Sequence, residues 1–170
     1  MKRILMILAP NDYQDNEYGI PREAFENAGC EVTVASMGVE VAKGVLGGTV
    51  EVDGDISSVV IDDYDAVILV GGGGAKVYFD DVTVHQLLKD AYSRGKVVGA
   101  ICISPSTLAN SGLLEGRKAT AFPSEGTNLV EHGAQFTGEE VTVDGNIVTA
   151  SGPRAAGIFA QEILKLLGES

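Results

Sequence analysis

The run Val97-Val98-Gly99-Ala100-Ile101-Cys102-Ile103-Ser104-Pro105-Ser106-Thr107-Leu108-Ala109 restricts the fold more than any other stretch of the chain. Its first half is apolar and β-branched, which predicts a buried strand. Its second half offers Ser104 as an N-cap, Pro105 at the first helical position and a small, helix-compatible run to Gly112. Cys102 stands at the join, with the small residues Ala100 and Ser104 two positions away on either side. A nucleophile on a sharp strand-to-helix turn needs that pattern, because the reactive side chain is pushed outward and its neighbours must not collide. The N–H groups and positive dipole end of the following helix predict that thiolate is favoured over thiol. A cysteine used as a small buried hydrophobe is the alternative reading of the same residue.

The rest of the chain alternates strand and helix patterns. Residues 3–9 predict a first core strand, and 10–16 a polar loop at its carboxyl end. Residues 17–28 read as a helix closed by Gly29, with Pro21 tolerable only near its start. Residues 31–36 alternate and are β-branched, so a parallel strand pair with a right-handed crossover is expected. A short exposed strand at 49–52 and a turn at Asp53-Gly54 follow. A near-continuous apolar strand at 65–70 runs into Gly71-Gly72-Gly73-Gly74. Residues 82–94 form an amphipathic helix pattern on Val84, Leu87, Leu88 and Ala91.

Beyond the cysteine turn, a short strand is expected at 119–122 and a hairpin with Asp-Gly at its turn at 141–150. A last helix is expected at 155–167, its apolar face carrying Ile158, Phe159, Ile163, Leu166 and Leu167. The pattern predicts one α/β domain over 1–170, a mostly parallel central sheet with helices on both faces. Ligands on such sheets sit outside the carboxyl ends of the strands, where loops 10–17, 71–74 and 102–104 converge.

The four glycines admit three readings: a phosphate cradle, a backbone oxyanion donor facing the cysteine turn, or a flexible connector. No G-x-G-x-x-G fingerprint or lysine-serine ending supports the first. Twelve basic against 24 acidic residues give a net charge of -12, which argues against nucleic acid or an anionic membrane as partners. No apolar run approaches the ~20 residues of a membrane span. Cys30 and Cys102 stand in different contexts and form neither a disulfide framework nor a metal set, so a reducing cytoplasm is the expected location. Cys30, between a helix-ending glycine and a strand, reads as structural.

Several segments together resemble the ThiJ/PfpI superfamily, within the class I glutamine amidotransferase-like, flavodoxin-like fold. They are Asp15-Asn16-Glu17 with Pro21, residues 28–36, residues 63–73, Gly99-Ala100-Ile101-Cys102, residues 109–120 and residues 144–150. The resemblance implies that Cys102 is the reactive cysteine and Glu17 the carboxylic acid that hydrogen-bonds it. It also implies that the backbone N–H groups of Gly73 and Ile103 form an oxyanion hole. Spacing alone pairs Glu17 with nothing; it reads as an acid near a helix N-terminus.

Two departures matter. Members of peptidase type carry histidine directly after the cysteine, where this chain has Ile103, and another branch carries histidine where this chain has Phe122. His85, inside a helix pattern, and His132, beside Gly133, both read as surface or helix-end residues. Arg154, at the start of the last helix, reads as a solvated side chain or as part of the crevice wall.

The resemblance therefore implies cofactor-free and metal-free chemistry on a small reactive carbonyl such as a 2-oxoaldehyde, of glutathione-independent glyoxalase or deglycase type. Cys102 would be the nucleophile and Glu17 the proton shuttle. A redox-responsive protein oxidised at Cys102 and a cysteine hydrolase of peptidase type are the alternatives. A homodimer or larger homo-oligomer is expected from the same resemblance.

Overall fold

The computed structural model describes residues 1–169. In the first half of the chain the strands are β1 (Arg3–Ile7), β2 (Asn11–Tyr13), β3 (Glu31–Ser36), β4 (Val41–Gly44), β5 (Thr49–Glu51) and β6 (Gly54–Asp55). The second half adds β7 (Ala66–Leu69), β8 (Val97–Ile101), β9 (Lys118–Ala119), β10 (Gln135–Phe136), β11 (Val141–Asp144) and β12 (Ile147–Ala150). The helices are α1 (Asp15–Asn27), α2 (Val82–Ser93), α3 (Pro105–Asn110), α4 (Gly126–Glu131) and α5 (Ala156–Leu167).

Seven strands form the central sheet in the order β11-β12-β8-β7-β1-β3-β6, all parallel except the β11–β12 hairpin at one edge. The interior strands β1, β7 and β8 are almost entirely buried, which is why they read as continuous apolar runs. Two small sheets, β2-β4-β5 and β10-β9, flank this core. No helix among the described residues is long and apolar enough to cross a membrane.

Helix α5 packs against β8, β12 and α1, while α2 packs against β7 and β8. Gly99 leaves room for α5: a β-carbon there would stand 3.0 Å from Phe159 Cζ and 3.1 Å from Ile163 Cδ1. The buried face of α5 carries Ala156, Phe159, Ala160, Ile163, Leu164 and Leu167. Ile158 is 50% exposed and Leu166 37%, so these two do not belong to the face expected from sequence. The small residues Ala156 and Ala160 occupy the contact stripe instead, and an apolar count undervalues them.

Other differences are local. Pro21 lies inside α1 rather than in its first turn, because the helix begins at Asp15. The missing N–H there removes one helical bond, which the surrounding packing tolerates. Gly54 pairs in β6 with β3 instead of turning, and the 119–122 strand is confined to Lys118–Ala119.

Candidate active site

Cys102 follows β8 directly and has φ of 65°, one of only two non-glycine residues with positive φ among those described. A left-handed cysteine costs about 1–2 kcal/mol, so the surroundings must hold it. Three hydrogen bonds do so. The Cys102 N–H donates to the Ala150 carbonyl at 2.9 Å, the Phe122 N–H to the Cys102 carbonyl at 2.8 Å, and the Ser104 N–H to the Ile101 carbonyl at 3.1 Å. Ser104 occupies the N-cap position of α3 but makes no side-chain cap. Its hydroxyl instead donates to the Val70 carbonyl at 2.9 Å, tying the turn to the end of β7.

Glu17 enters from the first turn of α1. Gln14 caps that helix, its Oε1 accepting from the N–H groups of Asn16 at 2.7 Å and Glu17 at 2.9 Å. The Gln14 N–H donates to the Gly71 carbonyl at 2.9 Å, so the start of α1 is fastened to the glycine run. Glu17 is fully buried. Its carboxyl lies near the Cys102 thiol and the Gly71 N–H, and both oxygens are buried with no formed hydrogen bond among the described residues. Burial raises the Glu17 pKa from 4.5 to about 7, opposed in part by these two contacts.

The glycine run brings the two groups together. A β-carbon on Gly71 would overlap the Glu17 carboxyl and stand 2.6 Å from Cys102 Cβ and 2.7 Å from the Ile101 carbonyl. One on Gly74 would overlap the Asn11 carbonyl. The run is thus wedged between β2 and the cysteine turn, which excludes the flexible-connector reading at these two positions. The N–H groups that reach the Cys102 sulfur are those of Gly72 and Ile103. Gly73 begins a short 3-10 turn, Gly73–Tyr78. Gln14 and Gly71 were not picked out individually from the sequence, although four consecutive glycines were the signal for a close backbone approach.

The surroundings of the thiol act against the lowering expected from the helix end. The Cys102 pKa is pushed up to about 12, first by burial and then by the Glu17 charge, with the Gly72 and Ile103 N–H groups opposing weakly. Helix α3 has only six residues, and its dipole does not offset a buried carboxylate at contact distance. Burial and mutual repulsion thus raise both groups, so the site resists carrying two negative charges at once.

Neither histidine is drawn into hydrogen bonds at this site. His85 Nε2 lies 2.7 Å from the Phe79 carbonyl, and His132 Nδ1 2.9 Å from the Asn128 carbonyl. Cys30 is buried, and burial raises its pKa as well. Arg154 is exposed and lines a groove with Phe122 and Pro153 beside the cysteine turn.

A turn-borne cysteine with a buried acid against it can add to an electrophilic carbon while the acid moves a proton. Comparison with known proteins places this arrangement in context. An uncharacterized protein of Methanocaldococcus jannaschii is 39% identical over 168 residues, 97% of this chain and 82% of that one. A deglycase of Pyrococcus abyssi is 34% identical over 163 residues, 96% of this chain and 98% of that one. The crystal structure of a ThiJ/PfpI domain protein from Brachyspira murdochii superposes with a TM-score of 0.95 at 32% identity, covering 98% of this chain and 96% of that one. The model of the DJ-1/PfpI family matches residues 2–166, and the chain belongs to that family.

Proposed function

We propose that this protein converts small 2-oxoaldehydes to 2-hydroxy acids, with Cys102 as nucleophile and Glu17 as proton carrier. The observation that carries the reading is the fully buried Glu17 carboxyl, poised near neutrality at the Cys102 thiol. The deglycase name of the Pyrococcus relative supports the same substrate class.

With methylglyoxal, the Glu17 carboxylate takes the thiol proton as sulfur bonds to the aldehyde carbon. The carbonyl oxygen becomes an alkoxide beside the N–H groups of Gly72 and Ile103, with Gly72 taking the part expected of Gly73, and it then takes the proton from Glu17 to give a neutral hemithioacetal. Glu17 next removes the proton from the former aldehyde carbon and returns it to the neighbouring carbon, while the hemithioacetal hydroxyl proton passes to the neighbouring oxygen, leaving the thioester of a 2-hydroxy acid. Water cleaves the thioester, releasing lactate and restoring the thiol. The sum is methylglyoxal plus water to lactate, with no glutathione and no net redox change.

The test is lactate formation from methylglyoxal by the wild type, Cys102→Ser and Glu17→Gln. Wild type alone should turn over, with a rate that rises with pH through about 7 as Glu17 ionises. Equal rates in all three proteins would remove the mechanism.

A further inference from the structure

We infer that the groove beside Cys102 binds an aromatic substituent on the substrate, so that aryl 2-oxoaldehydes are preferred over methylglyoxal. This rests on the carbonyl reading above and deepens it. The groove has a volume of about 610 Å³, in the range of sites for drug-sized ligands, and a three-carbon aldehyde occupies little of it. Its walls include Phe122, Pro123, Phe136 and Pro153. Phe122 is 44% exposed, an aromatic ring presented to solvent rather than packed in the core.

Both walls are joined to the nucleophile's own backbone. The Phe122 N–H donates to the Cys102 carbonyl at 2.8 Å. On the other side the Ala150 carbonyl accepts the Cys102 N–H at 2.9 Å, and the chain runs on through Ser151 to Pro153. The groove thus flanks the Cys102 backbone, and a substituent on the carbon bonded to sulfur is proposed to extend into it. The charged residues lining it are Glu140 and Arg154, one of each sign, so the lining favours a neutral group over an ionic one. Rings and prolines pack against a flat apolar face, and that selects an aryl group over a methyl.

Phenylglyoxal plus water gives mandelate by the same steps that give lactate. These two products share the carboxylate and hydroxyl and differ only in phenyl against methyl. Binding of each enantiomer of mandelate and lactate to the full chain is measured by titration calorimetry, for wild type, Phe122→Ala and Phe122→Leu. Turnover of phenylglyoxal and methylglyoxal is measured alongside.

The expected result is a preference for mandelate of about tenfold or more, as for burying a few methylene equivalents. That preference should fall at least threefold in Phe122→Ala and less in Phe122→Leu, and the ratio of kcat/KM for the two aldehydes should fall in the same order. Equal binding of mandelate and lactate, or a preference untouched by Phe122→Ala, overturns the inference. Mandelate preference without turnover of either aldehyde upholds the groove and sinks the carbonyl chemistry. Equal turnover of both aldehydes with equal product binding does the reverse.

Discussion

Replacing Glu17 with glutamine should stabilise the protein, and by an amount that grows with pH. The folded carboxyl has its pKa raised from 4.5 to about 7, chiefly by burial, whereas the unfolded chain ionises at the ordinary value. The folded state thus holds the proton more tightly. Its contribution to stability is complete below 4.5 and is lost as pH rises through about 7, where an ionised carboxylate must stay buried without a formed partner. At 1.36 kcal/mol per tenfold change in proton affinity, the whole swing is about 3 kcal/mol.

Glutamine at position 17 has no such swing. Near pH 5 the folded carboxyl is still protonated while the unfolded chain has begun to ionise, so a small part of the swing already adds to the fixed offset from the amide. Between pH 5 and pH 8.5 the variant should gain about 2.5 kcal/mol relative to wild type, or about 5–10 °C in Tm for a domain of this size. Groups that titrate elsewhere cancel in the comparison. Urea unfolding of both proteins under reducing conditions, at steps from pH 5 to 8.5, measures the difference directly. A difference that stays constant across that range would refute the claim that Glu17 is held with a raised pKa. The same substitution should abolish lactate formation, so the carboxylate is retained against its effect on stability.

Two further outcomes follow from the same geometry. The ultraviolet absorbance of thiolate should show no ionisation of Cys102 at neutral pH, and Glu17→Gln should shift its titration downward by removing the adjacent charge; a thiol already ionised at pH 7 in wild type would refute the raised thiol pKa. Gly71→Ala should lose about 1–3 kcal/mol of stability from overpacking, and turnover should drop roughly 100-fold from displacement of Glu17, as read by unfolding and by lactate formation. Full activity in Gly71→Ala would mean that the close approach at Gly71 is not needed.

The sheet was legible because each strand reports its own burial. β1, β7 and β8 are apolar throughout since both faces are covered, and β11–β12 announces its turn through Asp144-Gly145. Pairings across the chain have no such local signal. The union of Glu17 with Cys102 depends on Gln14 capping α1, on its N–H reaching Gly71, and on the absence of a side chain at Gly71. No periodicity encodes those contacts, and the family resemblance alone implied the pair.

The thiol illustrates how local signals leave out charges delivered from elsewhere in the chain. Read along the chain, Cys102 has a helix ahead of it and amide hydrogens within reach, which favours ionisation. In three dimensions the first charge it meets is a buried carboxylate delivered from α1, and removal from water acts in the same direction. Two like charges in one dry site are disfavoured, so the pair holds a proton that either an ionised sulfur or an ionised acid must do without. In the proposed mechanism the acid, raised toward neutrality, serves as the base and takes the sulfur's proton when an electrophile arrives. A resting thiol of this kind should react slowly with general alkylating agents. Its selectivity would then come from carbonyl substrates that let Glu17 take the proton as the carbon–sulfur bond forms.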